Sequence, residues 1–168
     1  KEQRDAADFW ERVEIHEEPD KSIYEGMNQA AKHACGQYLY FLNCGDYFYD
    51  ENVLEKLKQE IMQNRQGRPL IVYGDIYEAL RGVRVASNPR MDGFGCYRNV
   101  PCHQACIYDA SLFAERGYET KYRVRGDYEH FLWSFYVKKA VTVYVPMIIA
   151  SYEGGGYSET RQNRERSA

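Results

Sequence analysis

The strongest constraint on this chain's fold is an alternation of two kinds of segment. Runs that suit a β-strand take turns with runs whose apolar residues recur at helical spacing. Ser22-Ile23-Tyr24-Glu25 is a capping box, with serine at the N-cap and glutamate three residues on. Ile23, Met27, Ala30, Ala31 and Ala34 continue it as a helix that Gly36 ends. Gln37 to Leu42 is aromatic-rich and reads as a buried strand. Asp50 then caps a second helical stripe of Val53, Leu54, Leu57, Ile61 and Met62, stopped by Gly67. Leu70 to Tyr77 returns to strand, with Arg81-Gly82 as a turn and Val83 to Ala86 as a hairpin partner. This order predicts an α/β fold. With 168 residues the chain can bury a substantial core, so residues 1–168 are read as one domain.

The second half is less regular. Residues 5–15 ahead of the first cap read as a helix end and a short strand. Asn88 to Val100 is rich in Gly, Asn and Pro and reads as an irregular loop, a kind of segment that tends to be functional when long. His103 to Tyr108 is a strand, and Asp109 caps a short helix ending at Gly117. Tyr118 to Gly126 is a polar loop. Asp127 to Lys138 is a helix with Phe131, Leu132 and Phe135 inward, followed by the β-branched strand Val141 to Ile149 and a glycine-rich loop, Ser151 to Thr160.

Charge and cysteine usage remove some functions. A net charge of −3 offers no basic stripe for nucleic acid. Asp5 to Asp20 is acidic and Arg161 to Arg166 basic; the basic tail suits solvent, or at most peripheral contact with an anionic membrane surface. Five cysteines with no disulfide framework point to a reducing, cytoplasmic compartment. Cys96, Cys102, His103 and Cys106 resemble a zinc cluster only superficially, because their spacing is wrong for paired knuckles. No apolar run approaches the length of a membrane span. The 16 tyrosines mostly suit half-buried strand positions, though a flat face with a polar tip also suits sugar and base contacts.

In an open α/β sheet, ligands sit beyond the carboxyl ends of the strands. Asn43-Cys44-Gly45-Asp46 lies at such an end, where a carboxylate can ligate a divalent cation; the same residues equally suit a β-turn. Two stretches here, Glu18-Pro19-Asp20-Lys21-Ser22-Ile23-Tyr24-Glu25-Gly26-Met27-Asn28 and Gly36-Gln37-Tyr38-Leu39-Tyr40-Phe41-Leu42-Asn43-Cys44-Gly45-Asp46, resemble family 2 glycosyltransferases of the GT-A fold. Those read E-P-D-x-G-I-Y-D-A-M-N, then G-x-Y-I-x-F-L-N/D-x-x-D. Cys102-His103-Gln104, Gly126-Asp127-Tyr128-Glu129-His130-Phe131-Leu132 and Tyr152-Glu153-Gly154-Gly155-Gly156 follow in the family's order, so the likeness runs from Glu17 to Ser158.

The resemblance implies a Rossmann-like mixed sheet flanked by helices, N-terminally incomplete. The family's opening V-x-Y-N strand and G-S-x-D-G-T turn, which build the nucleoside pocket, do not occur, and this predicts weak nucleotide binding by the 168-residue chain alone. It implies inverting transfer of a sugar from a nucleotide-sugar donor, by default a UDP-sugar, to a glycan or lipid-linked acceptor, at the cytoplasm or the inner face of the membrane. Asp127 matches the general base, a carboxylate that takes the acceptor hydroxyl's proton; its structural alternative is a plain helix N-cap. Glu129 is the second choice. Asp20, Asn28, Asn43 and Asp46 match donor and diphosphate positions, with Asp46 as the ligand to Mn2+ or Mg2+. Asn43 and Gly45 stand where the family's D-x-D element carries acids, leaving Asp46 the segment's one carboxylate. His103, Gln104, Gly154 and Gly155 are expected at the acceptor or the phosphates. The alternative is a glycan- or nucleotide-binding module that has lost catalysis.

Overall fold

The computed structural model of the chain describes residues 13–154. Helix α1 (Ile23–His33) opens on Ser22 as its N-cap: Ser22 Oγ accepts from Glu25 N (3.2 Å), while Glu25 Oε2 reaches back to Lys21 N (2.7 Å), one residue before the cap. Strand β1 (Tyr38–Tyr40), the two-residue strand β2 (Tyr47–Phe48), helix α2 (Val53–Asn64), strand β3 (Leu70–Glu78) and strand β4 (Val83–Val85) follow. Then come helix α3 (Gly93–Arg98), a 3₁₀ turn (His103–Ala105), strand β5 (Cys106–Asp109), helix α4 (Ala110–Glu115), helix α5 (Gly126–Tyr136) and strand β6 (Val141–Tyr152).

The described strands make one mixed sheet in the order β1-β5-β3-β6-β2, with β4 pairing β3. β3 and β6 run parallel, and β5 is antiparallel to both β1 and β3. The carboxyl ends of β1, β3 and β6 therefore lie at the same end of the sheet. Both faces are covered, which is why Leu70 to Tyr73 is uninterruptedly apolar. Ile71 and Tyr73 face a core with Tyr24, Met27, Tyr108, Leu112 and Phe131 beneath α1, α4 and α5. Leu70 and Val72 face the opposite core, with Val53 and Leu57 of α2 and Ile107, Val145 and Ile149 of the sheet. Burying a side chain of this size stabilises by roughly 1.5–3 kcal/mol, so this twofold alternation fixes the register of β3. Opposite Gly74 the β3–β6 pairing bulges, and a Cβ at Gly74 would sit 2.7 Å from Met147 O. Glycine lets β6 bend there toward the site end.

Several expected elements differ. The loop expected over 88–100 contains α3, whose N-terminus is held by Asp92 Oδ1 accepting from Gly95 N (2.9 Å). A 3₁₀ turn at 103–105 replaces the start of the expected strand: Ala105 N closes onto Cys102 O (2.8 Å) just after Pro101, so the chain turns before it can pair. Asn52, not Asp50, is the α2 cap residue, and Asp50 Oδ1 instead accepts from Asn52 N (2.7 Å) in the preceding turn. Ile23, Leu54 and Met62 are exposed, and Tyr24 takes the buried position expected of Ile23. Residues 13–20 are irregular; the expected helix end over 5–12, most of the glycine-rich loop beyond Gly154, and the basic tail lie outside the described residues.

Candidate functional site

At the carboxyl end of β1 the chain leaves the sheet and reverses. Asp46 N donates to Asn43 O (3.0 Å), and Gly45 sits at φ +89°. The segment is thus a turn and a candidate ligand site at once. Its side chains point toward the 3₁₀ turn: Gln104 Nε2 donates to Asp46 Oδ2 (3.1 Å), and Asn43 Nδ2 lies 2.9 Å from His103 Nε2. Glu153 N, at the end of β6, donates to Asp46 Oδ1 (3.3 Å). Gln104 is itself held, its Oε1 accepting from the Cys102 thiol (2.6 Å) and its backbone oxygen from the Tyr40 hydroxyl (2.7 Å).

The other ring nitrogen of His103 faces Asp127. Nδ1 lies 3.6 Å from Asp127 Oδ2, within ion-pair range. Asp127 is the second residue of α5, so the helix dipole favours its ionised form. It is not the N-cap; Arg125 holds that place. On its other oxygen, the Tyr24 hydroxyl stands 2.9 Å from Asp127 Oδ1 and 2.9 Å from Val124 O, with one proton to donate to either. Burial works to raise the Asp127 carboxyl. The hydrogen bond and charge of His103, the Tyr24 hydroxyl and the Tyr128 amide outweigh it and hold the group below the ordinary carboxylate range. The same burial, with the Asp127 charge, pushes the Tyr24 phenol upward, so it stays a donor. An amide can turn over, so Asn43 has a partner for either protonation state of the imidazole.

One connected chain of polar groups therefore runs from Glu153 and Asp46 through Gln104 to the turn 102–104, and on through His103 to Asn43, Asp127 and Tyr24. It joins Asn43, Asp46, His103, Gln104 and Asp127, residues up to 84 apart in sequence between Asn43 and Asp127. Asp20 and Asn28 stand apart from it. Asp20 lines a separate concavity of about 430 Å³ with Glu14, His16, Glu18 and His33, where the two imidazoles stack at 3.8 Å. Asn28 is engaged at both ends of its amide by the Tyr118 backbone, donating to Tyr118 O (2.9 Å) and accepting from Tyr118 N (2.7 Å). Gly154, at φ +93°, follows Glu153 and packs beside Leu80; Gly155 lies outside the described residues. Glu129 pairs with Arg116 (2.9 Å), away from Asp127.

Sequence reasoning missed Tyr24 and Glu153 as partners of the two key carboxylates. Both stand inside quoted motifs, but nothing local signals a contact across 103 or 107 residues. It also missed Asp75, fully buried on β3, which accepts from Arg84 Nε (2.7 Å), Ser87 N (2.8 Å) and the Tyr144 hydroxyl (3.1 Å) and so ties down the 84–87 segment.

For a divalent cation, the available donors are few. Among the described residues no three of His, Cys, Asp and Glu converge on one point. Cys96, Cys102, His103 and Cys106 are accordingly not gathered into a metal-ligating group among the described residues. Asp46 and the Glu153 carboxylate, which lies against Gly45, flank the turn. Magnesium takes one or two protein carboxylates and fills the rest of its shell with water and substrate phosphates, so this donor set fits a cation that arrives with a diphosphate.

No protein-family model matches the chain. The chain is similar to curated glycosyltransferases. The PGL/p-HBAD biosynthesis glycosyltransferase of Mycobacterium bovis (strain BCG / Pasteur 1173P2) is 32% identical over 162 residues, which is 95% of this chain and 62% of that protein. An uncharacterized glycosyltransferase of Mycobacterium tuberculosis (strain ATCC 25618 / H37Rv) is 28% identical over 130 residues, 75% of this chain and 49% of its own length. The chain thus spans less than two thirds of the length of these relatives. Among the described residues, no helix is long and apolar enough to cross a membrane.

Proposed function

We propose that this chain is the larger part of an inverting, family 2, GT-A glycosyltransferase that moves a sugar from a nucleotide-sugar, by default a UDP-sugar, to a hydroxyl of a glycan or lipid-linked acceptor. The observation that carries the reading is Asp127: a carboxylate at a helix start, held ionised by His103 and Tyr24, and linked through His103 to the turn that bears Asp46. In the proposed reaction the acceptor oxygen attacks the anomeric carbon from the face opposite the diphosphate. The bond to the diphosphate oxygen breaks, the leaving group keeps the electron pair, and the acceptor proton passes to Asp127. Inversion follows from this single displacement, and no covalent enzyme intermediate is needed.

Asp46, with Glu153 beside it, would hold Mn2+ or Mg2+ together with the donor phosphates, and the ion would neutralise charge on the departing diphosphate. Asn43 and His103 keep Asp127 and the turn in one register. Gly154 and Gly155 are assigned to the phosphates and Asp20 to the nucleotide side; Asn28 is left with a donor contact only through the part of its amide that Tyr118 does not use. The site is assigned to the cytoplasm or the inner membrane face.

Donor turnover by the full-length protein with manganese, measured for wild type and Asp127→Asn across UDP-, GDP- and dTDP-sugars, tests the reading. Turnover that Asp127→Asn abolishes supports it. Absence of turnover with every donor, alongside measurable nucleotide binding, favours the second reading, a binding module. That module has its own support in Asn43 and Gly45, which stand where the resemblance puts acids.

A further inference from the structure

Asp75 has no part in the proposed reaction, yet it is the one fully buried carboxylate among the described residues. Taking a carboxylate out of water costs about as much as an ion pair returns, so a well-packed apolar residue at this place in β3 would serve stability as well. Its value lies in what it holds. Its oxygens accept from Arg84 Nε (2.7 Å), Ser87 N (2.8 Å) and the Tyr144 hydroxyl (3.1 Å). Two of these three donors belong to one short segment, residues 84–88.

That segment has little apolar burial to anchor it. The β3–β4 ladder ends at the pair Ile76–Val85, and residues 83–86 are exposed. Groups of β3 take over where the ladder stops. Ser87 Oγ donates to Gly74 O (2.6 Å), and the Tyr73 hydroxyl donates to Asn88 O (2.8 Å). Three successive residues of β3, Tyr73, Gly74 and Asp75, thus fasten Asn88, Ser87 and Arg84. A polar network satisfied in this way imposes one arrangement. It also seats α3. Asn88 Oδ1 accepts from Arg90 N (3.0 Å), and a Cβ on Gly95 would meet Asn88 Nδ2 at 2.9 Å.

The fastened residues form a wall. Val85, Ala86, Ser87 and Asn88 share with Asp127 the lining of a cavity of about 1100 Å³, and neither Asn43 nor Asp46 lines it. If Asp127 is the base, the acceptor lies in this cavity, because the base has to face the attacking hydroxyl and the donor phosphates occupy the turn. The inference rests on that reading of Asp127. We propose that Asp75 is a positioning residue for the acceptor: through Arg84 and Ser87 it fixes the 85–88 wall, and with it the place of the acceptor hydroxyl relative to Asp127. Neither Asp75 nor Tyr73 lines the cavity, so both act through the segment they hold. Water attacking in the acceptor's place needs no wall. The fastening therefore governs transfer to an acceptor and not hydrolysis of the donor.

Two rates of the full-length protein test this. One is donor hydrolysis in buffer with manganese. The other is transfer of radiolabelled sugar from the same donor to a detergent extract of the source cells, which supplies the acceptor. Asp75→Asn keeps the shape and removes the charge that holds Arg84; Tyr73→Phe keeps the ring and removes only the bond to Asn88. We expect Asp75→Asn to lower transfer about 10²-fold, the cost of misplacing a reactant by about 1 Å. Tyr73→Phe should lower it less, and both variants should hydrolyse donor as wild type does. Equal loss of both rates makes Asp75 a structural residue and overturns the proposal, as does unchanged transfer by Asp75→Asn. Should Asp75→Asn not fold, Tyr73→Phe decides by the same two rates. Wild type that hydrolyses donor but transfers nothing to the extract overturns the acceptor proposal alone. Wild type that turns over no donor removes the transfer reading beneath it, and the proposal with it.

Discussion

The two carboxylates at the sheet's end are held in opposite ways. Asp127 is wedged between an imidazole, a phenol and a helix start, and its surroundings hold it ionised against the cost of burial. Asp46 is half-buried on a turn, and its partners are the neutral Gln104 amide and the Glu153 backbone N–H, the latter at 3.3 Å. Donors that already satisfy a carboxylate fix its position and ionisation, which suits a base that must stand ready at one point. Weaker, neutral donors leave lone pairs for an incoming cation. Under the proposed function, the difference suits Asp127 to proton transfer and Asp46 to charge neutralisation.

The sharpest way to break this division is to remove each charge in turn. Asp127→Asn keeps the shape of the site and its contact with Tyr24, and we expect a loss of about 10³-fold in kcat, with the circular dichroism spectrum and the KM for donor little changed. Asp46→Asn should cost less, about 10²-fold, and should show itself as a higher manganese requirement. Were the two variants to respond to manganese alike, the division of labour would be wrong. His103→Ala comes third, at about tenfold, with a signature of its own. His103 helps hold the Asp127 carboxyl down while burial pushes it up. Without the imidazole the folded-state pKa rises, so the acid limb of the kcat/KM profile moves to higher pH, and activity present just above the wild-type limb is lost. An unmoved limb would mean that His103 does not set the charge of Asp127.

Much of this was legible from sequence, and the limits are physical. β3 and β6 carry strong local signals, being long and β-branched, and the α1 and α4 caps are written in Ser22, Glu25 and Asp109. Residue pattern and resemblance also singled out Asn43–Asp46 and Asp127, which the structure brings together through His103. Two short elements, α3 and β2, were not legible, although the equally short α4 was marked by its Asp109 cap. α3 has six residues, too few for a helical period, and β2 has two. Tyr24 read only as part of the capping-box stretch, because its role depends on α5, 103 residues away. His103 and Gln104 read as strand because their polar character fits either state, and the choice was made by the closing bond from Ala105 to Cys102.

Gly45 offers the smallest and most local test, and it bears on why an acid is missing from the turn. Its φ of +89° is one that a residue with a Cβ adopts only with strain, and the Cβ itself would meet Glu153 Oε2 at 2.6 Å. The second conflict is cheap, since the exposed Glu153 carboxylate can swing aside; the first is intrinsic to the turn. Gly45→Ala should therefore lower stability by about 1–2 kcal/mol, read as a lower urea midpoint with an unchanged slope. Gly45→Asn, whose side chain tolerates left-handed backbone better, should lose less. An alanine variant as stable as wild type would show that the turn can relax to a negative φ, and then backbone geometry would not explain the absence of an acid. A loss in both Gly45→Ala and Gly45→Asp would show the reverse. Glycine is then kept to close the turn that presents Asp46, and the turn's charge rests on Asp46 and its neighbour Glu153, which leaves Asp46 as the weakly held acid of the pair and Asp127 as the fixed one.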